Sequence, residues 1–420
     1  MTPHAEPPGA GSPDSGTPDS GTPGPATPPT ATPRSLVVDR IGLLVSNDPE
    51  VGERSDVALV LEDGVVAAVL DAGSTVAADA RLDAAGCCVV PGFVDSHTHL
   101  VFAGDRGDEF AARMAGAPYV AGGINVTTDA TRAASTDELT ALARARLAEA
   151  RRCGITHLEI KSGYGLDVAT ERRICEAAAA LTDDVTFLGA HLVPREWADR
   201  PDAYVDLVCG EMLDACAPSA RWIDVFCEEG AFDPEQSRRV LEAGRAAGLG
   251  LRVHGNQLGF GEGVRLACEL GAASVDHCTY LTDADVDALA ASDTVATLLP
   301  ATDFSTRQPY PDARRLLDAG ARVAIATNTN PGSSYTSSMA FCLALAVRDM
   351  GMTVAEALTA ATLGGARALR RADVGHLGLG ARADAVVLDA PSPTHLVYRP
   401  GMDLIAHTVV RGEVTPSRAS

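Results

Sequence analysis

The sequence predicts an α/β protein: a (β/α)8 TIM-like barrel joined to a small β-sandwich domain that is built from both ends of the chain. Two observations predict the barrel. Eight short apolar runs alternate with helix-like segments, and histidines follow several of these runs. A third observation, β-type runs near both termini, predicts the small domain. Eight strands with helical crossovers over about 290 residues match the usual size of such a barrel.

The composition excludes several classes of function. The 420 residues include 34 Lys plus Arg and 56 Asp plus Glu, so the formal net charge is −22. Such a chain repels phosphate polymers and anionic membrane surfaces, and we expect no nucleic-acid partner and no membrane association. No apolar stretch reaches about 18 residues, and no basic segment followed by an apolar run opens the chain. We therefore expect a cytoplasmic protein whose ten scattered cysteines are reduced.

Residues 1–34 differ from the rest of the chain. They hold ten of the 25 prolines, and the sequence PDSGT at 13–17 is repeated at once at 18–22. A segment of this composition has little apolar surface to bury, so we predict a disordered tail.

Residues 35–88 and 382–420 are predicted to form the small β-domain. The first of these segments contains three short β-type runs, at 35–38, 56–61 and 65–70. Glu62-Asp63-Gly64, between the last two runs, is typical of a hairpin turn. The C-terminal segment contains two further runs, at 383–389 and 408–414. The alternative is that these runs cap the main domain.

Residues 89–381 are predicted to form the barrel. Its eight strands are expected near residues 93–97, 155–160, 185–190, 223–227, 251–254, 274–276, 295–299 and 323–326. Segments with helical spacing lie between most of them, such as 136–153, 235–247 and 283–291. The long interval after the first strand is expected to carry active-site loops as well as a helix. The alternative is a doubly wound open sheet, but no glycine-rich turn of the dinucleotide-binding type follows the first strand.

Histidines stand where the predicted strands end, which is where such barrels place their active sites. Five of the ten histidines do so: His97, His99, His191, His254 and His277. Side chains two residues apart on a strand point to the same side, so the first two can reach one ion. Three imidazoles plus water form a common open Zn²⁺ or Fe²⁺ site, in which the ion makes hydroxide available near neutral pH. We therefore predict metal-activated water and a hydrolase; the alternative is an ordinary pair of hydrogen-bonded histidines.

The motifs resemble those of a known family. Residues 91–99, PGFVDSHTH, resemble the first-strand signature of the amidohydrolase superfamily. The segments LVFAGDR at 100–106 and EIKSGYGL at 159–166 are similar to one member family, the imidazolonepropionases of histidine degradation. The resemblance extends from about Val89 to the C-terminus. It implies metal-dependent hydrolysis of the ring C–N bond of 4-imidazolone-5-propanoate, a small anion, to N-formimidoyl-L-glutamate.

The resemblance also implies roles for individual residues. The metal, one divalent or trivalent ion of Zn or Fe, would be bound by His97, His99, His254 and the residue at the eighth strand end, Asn328. The substrate would contact Arg106, Tyr119, Tyr164, His191, Gln257, Asn330, Gly332 and Ser333. The catalytic residues would be His277, Gln257 and Asn328. Lys161 is not included among the metal-binding residues, because the family's site holds one metal ion and does not use this lysine as a bridge between two. A homodimer is implied as well.

Two positions depart from the superfamily's pattern. The eighth strand normally ends in an aspartate that binds the metal and helps to move the proton from water, but here the residue is Asn328. An amide oxygen can bind a metal, yet it cannot take a proton, and general-base help is typically worth about 10²–10⁴ in rate. Gln257, where some relatives have glutamate, can bind the ring but cannot transfer a proton.

Several interpretations stay open at this point. The interpretation that we favour is an active enzyme with His277 as base and a more loosely held metal. A second is that an aspartate at position 328 has been replaced to trap a complex. A third is a catalytically silenced relative that still binds ligand. A deaminase or another cyclic-amide hydrolase of the superfamily is a further alternative. For Arg106, the alternative to substrate binding is a surface salt bridge with Asp105, Asp108 or Glu109.

Overall fold

A computed structural model describes residues 34–116 and 123–415. Tyr119 and the predicted tail, up to residue 33, lie outside the described residues, so these two predictions are not addressed by the structure. Among the helices of the described ranges, none combines the length and the apolar character that a membrane span requires. The predicted domain boundaries, at 34/35, 88/89 and 381/382, stay predictions.

The described residues form seventeen strands and fifteen α-helices. The strands are β1 Ser35–Val45, β2 Glu53–Glu62, β3 Val65–Asp71, β4 Ala80–Asp83, β5 Cys88–Pro91, β6 Phe93–Asp95, β7 Ile155–Leu158, β8 Ile160–Lys161, β9 Val185–Ala190, β10 Trp222–Cys227, β11 Gly250–Gly255, β12 Ser274–His277, β13 Val295–Leu298, β14 Val323–Ile325, β15 Ala385–Leu388, β16 Ile405–Val410 and β17 Glu413–Val414. The helices are α1 Gly107–Met114, α2 Ile124–Ala133, α3 Thr136–Arg152, α4 Val168–Ala179, α5 Pro201–Leu207, α6 Leu213–Cys216, α7 Pro234–Ala246, α8 Gly263–Glu269, α9 Asp283–Ala290, α10 Pro300–Thr306, α11 Ala313–Asp318, α12 Met339–Asp349, α13 Val354–Thr359, α14 Gly365–Ala368 and α15 Thr394–Tyr398.

Both ends of the chain contribute to one eight-stranded sheet. Its order is β17-β16-β15-β5-β1-β2-β3, and β4 pairs with β1 in parallel. The N-terminal and C-terminal parts meet where β5 pairs with β15 in antiparallel orientation. The turn between β2 and β3 has two residues with positive φ, 48° at Asp63 and 79° at Gly64, which is the conformation that a tight hairpin requires. The strand domain built from both termini is therefore confirmed.

The remaining strands form the barrel. Strands β8 to β14 follow one another in a parallel sheet, and β6 pairs with β7, which is separated from β8 only by Glu159. The barrel closes after β6 and β14, where the Asn328 amide donates to the His97 carbonyl at 3.0 Å and the His99 amide donates to the Thr329 carbonyl at 2.9 Å. The predicted (β/α)8 barrel is confirmed, and the alternative of an open doubly wound sheet is wrong.

Capped helices return the chain between successive barrel strands. Ser135 accepts a hydrogen bond from the third residue of α3, and Asp233 and Thr282 form capping boxes at the starts of α7 and α9. Strands β9 and β10 are buried along their whole length, as expected for parallel strands covered by helices on the outside. This arrangement brings the carboxyl ends of all the parallel strands to one rim of the barrel.

Candidate active site

Three histidines from distant parts of the chain meet at this rim. One ring nitrogen from each of His97, His99 and His254 lies within 4.8 Å of the others. The ring centroid of His97 is 5.3 Å from that of His99 and 4.5 Å from that of His254. His97 and His99 follow β6 with the spacing that places both on one side, and His254 projects from β11. All three side chains are buried.

Two carboxylates hold these imidazoles in a defined orientation. His97 Nδ1 is 2.7 Å from Asp276 Oδ2, and His254 Nδ1 is 3.1 Å from Asp224 Oδ1. When each Nδ1–H donates to its carboxylate, the lone pair of Nε2 remains on the opposite edge of the ring. Such carboxylate–histidine pairs are the usual support of metal-binding histidines.

The nitrogens that face one another have no other partner in the described ranges. His97 Nε2, His99 Nδ1 and His254 Nε2 are buried and make no hydrogen bond there. A buried polar atom left without a partner is costly, and three that converge fit a shared metal ion. The residues present therefore suit a divalent cation, which neutral imidazoles bind through their lone pairs.

Two of these histidines, His97 and His99, are held in the neutral form that a metal ligand requires. Burial, reinforced by the charge of Lys161, lowers the pKa of His97 well below its usual value. Burial, reinforced by neighbouring histidines, does the same to the pKa of His99. Burial alone would raise the pKa of Asp276, but the charges of Arg252 and Lys161 hold it well below the usual value, so this carboxylate stays ionised.

A buried charge network lies behind the histidines, and the sequence reasoning missed most of it. Lys161 Nζ is 2.8 Å from both Glu159 Oε1 and Asp224 Oδ2. Arg252 Nη2 is 3.3 Å from Asp276 Oδ2. These side chains have no solvent exposure. A signal existed in the sequence, because Asp224 interrupts the otherwise apolar strand WIDVFC at 222–227.

His277 stands beside the metal-binding histidines at the end of β12. Its ring centroid is 5.4 Å from that of His254 and 5.7 Å from that of His97. Its backbone has a φ of 83°, which is unusual for a residue with a side chain and is typical of functional positions. Nδ1 is buried and makes no hydrogen bond within the described part of the chain. A neutral imidazole in this position can accept a proton.

One pocket brings together most of the predicted substrate residues. It is lined by Arg106, Tyr164, His191, Gln257, Asn330 and Ser333, beside four further residues predicted to bind metal or take part in catalysis, His99, His254, His277 and Asn328. Gly332 contributes through its lack of a side chain, because a Cβ there would come within 2.2 Å of Arg106 Nη1. Of the predicted substrate residues, only Tyr119 is outside the described ranges.

Arg106 both lines the pocket and forms the salt bridge that was the alternative interpretation. Its Nε is 2.7 Å and its Nη2 is 2.8 Å from the two carboxylate oxygens of Glu109. Arg113 Nη2 approaches the same carboxylate at 2.8 Å and also donates to the Gly332 carbonyl at 3.0 Å. Arg113 was not among the site residues predicted from the sequence. The pair Glu109 and Arg113, four residues apart on α1, is the signal that could have revealed it.

The wall formed by the residues after β14 is uncharged. The Asn328 side chain donates from Nδ2 to Thr302 Oγ1 at 2.9 Å, and its Oδ1 is buried without a hydrogen-bond partner among the described residues. Asn330 Oδ1 accepts from the backbone amides of Gly332 at 2.8 Å and Ser333 at 2.9 Å. Asn330 therefore shapes this loop, while the Asn328 oxygen is available to a cation.

His191 and Gln257 are held in place by hydrogen bonds to residues outside the pocket lining. His191 Nδ1 donates to the Gly163 carbonyl at 2.9 Å, and its ring stacks on His99 with centroids 5.4 Å apart. Burial, reinforced by the charge of His254, lowers the pKa of His191 to about 3, so this ring is neutral. The Gln257 backbone amide donates to Glu228 Oε2 at 2.8 Å, a partner that the sequence reasoning missed.

The fold and the histidine cluster define the class of metal-dependent barrel hydrolases. The model of the amidohydrolase family matches residues 229–415. Among solved structures, the atrazine chlorohydrolase of Arthrobacter aurescens complexed with zinc shares the fold, with a TM-score of 0.69, 18% sequence identity and coverage of 91% of this chain and 95% of that one.

Curated relatives define the particular family. The imidazolonepropionase of Salinispora tropica is 63% identical over 384 residues, which cover 90% of this chain and 98% of the relative. The imidazolonepropionase of Saccharopolyspora erythraea is 65% identical over 381 residues, which cover 90% and 97%. The chain belongs to the imidazolonepropionase family.

Proposed function

We propose that the protein hydrolyses the ring C–N bond of 4-imidazolone-5-propanoate to give N-formimidoyl-L-glutamate in histidine degradation. The observation that carries the proposal is the convergence of three buried imidazoles, each with an unpartnered nitrogen among the described residues, beside a pocket lined by Arg106. The family membership supports the same activity.

His97, His99 and His254 would hold the metal ion, with the Asn328 oxygen as a further candidate ligand. When bound there, a Zn²⁺ or Fe²⁺ ion would lower the pKa of a water molecule toward neutrality and polarise the substrate's carbonyl group. Zinc and iron are both compatible with three imidazole nitrogens, and metal analysis of the purified protein will distinguish them.

The other residues of the pocket would bind the substrate and move protons. Arg106 offers a planar guanidinium that can pair with the propionate, and Tyr164, His191 and Gln257 would orient the ring. His277 would accept the proton of the attacking water and return it to the ring nitrogen when the C–N bond breaks. Asn328 can only accept a hydrogen bond or bind a cation, so His277 would be the principal base.

A catalytically silent ligand binder is the second candidate, and the amide at position 328 favours it. The test measures bound metal and ring opening, followed by ultraviolet absorbance, for the natural protein and for Asn328→Asp. We expect the natural protein to bind one metal ion and to turn over, with the variant changing the rate by about tenfold or less, because His277 already supplies the base. Turnover that appears only in the Asp variant would support silencing.

The homodimer, the small anionic substrate and the cytoplasmic location remain proposals from the sequence. Sedimentation of the purified protein and binding of substrate analogues with and without the carboxylate will test the first two.

A further inference from the structure

The ammonium group of Lys161 occupies the centre of a ring of carboxylates directly behind the histidine cluster. Its Nζ is 2.8 Å from Glu159 Oε1, 2.8 Å from Asp224 Oδ2 and 3.5 Å from Asp276 Oδ2. The lysine and the three carboxylates are completely buried. Three oxygens from three separate strand segments therefore surround one monovalent cation.

The same region has the donor set of a second cation site. Asp224 and Asp276 each place one carboxylate oxygen within 4.8 Å of the other, beside the His254 ring whose Nδ1–H donates to Asp224. Lys161 contacts both carboxylates of this group. Oxygen atoms of carboxylates are the ligands that divalent cations such as Mn²⁺ prefer, so the ammonium fills a position with the chemistry of a metal site.

The charges show why a cation is needed there. Three carboxyl groups face two cations, Lys161 and Arg252, so the network carries a net charge of −1 beneath the histidines when all three are ionised. Burial raises the pKa of Glu159, whereas the neighbouring cations hold the pKa values of Asp224 and Asp276 below their usual range. Arg252 approaches Asp276 at 3.3 Å and Glu159 at 3.9 Å, and no ion pair joins it to Asp224 in the described part of the chain. Without Lys161, Asp224 would keep only the His254 ring and the Val225 amide as partners there. A buried carboxylate that has lost its cationic partner is strongly destabilising.

We propose that Lys161 is a built-in cation that fills a latent second cation site formed by Glu159, Asp224 and Asp276, and that it thereby limits this centre to one metal ion. The inference rests on the proposed metal-binding role of the three histidines. It assigns to Lys161 a positioning role toward the metal's supporting carboxylates, and it predicts the ligand class that would replace it, a divalent cation.

The test compares three substitutions of Lys161 in the full-length metal-loaded protein. Lys161→Ala removes the charge and leaves space for a cation, Lys161→Met removes the charge but fills the space, and Lys161→Arg keeps the charge. After equilibration with excess Mn²⁺, we expect one metal ion per chain in the natural protein and in the Met and Arg variants, but two in the Ala variant. Bound metal is measured by elemental analysis and protein by amino-acid analysis.

Thermal unfolding gives a second reading of the same variants. We expect the melting temperature of the Ala and Met variants to fall by roughly 5–10 °C, because a buried charge has lost its partner. Excess Mn²⁺ should restore most of the loss in the Ala variant and little of it in the Met variant. If the Ala variant folds only when Mn²⁺ is present during expression, the proposal is supported in the same way.

Two results would overturn the proposal. One is an Ala variant that binds a single metal ion and gains no more stability from Mn²⁺ than the natural protein does. The other is an Ala variant that does not fold even with Mn²⁺, while the Arg variant folds. The natural protein separates this failure from that of the proposed function: if it binds no metal or does not open the ring, the function fails, whatever the variants do.

Discussion

The buried aspartates on the two sides of the active site have pKa values that are shifted in opposite directions. On the histidine side, burial alone would raise the pKa of Asp224, but the charges of His254 and Lys161 hold it below its usual value. On the side of β14, burial raises the pKa of Asp95 to about 7 and that of Asp303 to about 8, although each accepts a hydrogen bond from a threonine. The threonine hydroxyls on this side are neutral, so they do not stabilise an ionised carboxylate as the cations on the histidine side do.

Because of this difference, the site can balance the charge of a metal ion without a charged ligand from β14. Negative charge lies behind the imidazoles, where Asp276 contacts His97 Nδ1 and Asp224 contacts His254 Nδ1. The carboxyl groups of the opposite wall are mostly neutral below about pH 7, and the amide at position 328 adds no charge to that wall.

Removal of an imidazole should have the largest effect. We expect His254→Ala to lose most of its bound metal and its turnover to fall by about 10³-fold or more, because water without a metal ion keeps its high pKa. Elemental analysis and the ring-opening rate measure both. His376→Ala, which changes a histidine outside the site, is the control and should keep metal and activity. Metal retained in full by the His254 variant would contradict the assignment.

Loss of the proposed base should separate catalysis from metal binding. His277→Gln is expected to lower turnover by about 10²–10⁴-fold while one metal ion remains bound, because general-base help is lost and the three ligands are intact. Turnover and metal content are measured on the same preparation. An unchanged rate would show that another group accepts the proton.

The carboxylates behind the histidines should have a smaller effect. Asp224→Asn and Asp276→Asn are each expected to weaken metal binding by about 10–100-fold, because the imidazole loses its charged support. Competition with a chelator of known affinity measures this change. Asp184→Asn is a matched control, since Asp184 Oδ2 lies 2.8 Å from Nε2 of His157, a histidine that is not part of the cluster. Equal weakening in all three variants would indicate a general loss of structure.

The smallest effect concerns stability alone and comes from the neutral side. The pKa of Asp303 is about 8 in the folded protein, above its value in an unfolded chain, so this group stabilises the fold fully below about pH 4. Its contribution is lost progressively as the pH rises from about 4 to about 8. Asp303→Asn should remove that decline.

Urea unfolding at pH 5 and at pH 8 tests this expectation. The free energy of unfolding of the natural protein should fall more between the two values than that of Asp303→Asn. The exposed substitution Asp287→Asn serves as the control and should behave like the natural protein. Parallel pH dependence in all three proteins would mean that Asp303 is ionised in the fold.

The sequence allowed the barrel and the histidine cluster to be predicted, because both follow from local patterns. Buried parallel strands are apolar runs of recognisable length, and the carboxyl ends of such strands share one rim whatever their spacing in the chain. Residues 97, 99 and 254 could therefore be placed together before their geometry was known.

The charge network could not be predicted in this way. Lys161 and Asp224 are 63 residues apart, and whether an ammonium reaches a carboxylate depends on side-chain directions inside the barrel, which sequence periodicity does not determine. The same holds for Asn330, whose motif indicated a substrate contact and whose side-chain oxygen is bonded to its own loop. The pairing of Arg106 with Glu109 was foreseen only as one of two alternatives.

The most direct test of the account is an anomalous diffraction experiment on crystals of the metal-loaded protein, recorded at the absorption edges of zinc and iron. We expect one peak per chain, about 2.0–2.2 Å from a ring nitrogen of each of His97, His99 and His254. The absence of a peak among these three residues, or a peak bound elsewhere in a protein that still opens the ring, would contradict it.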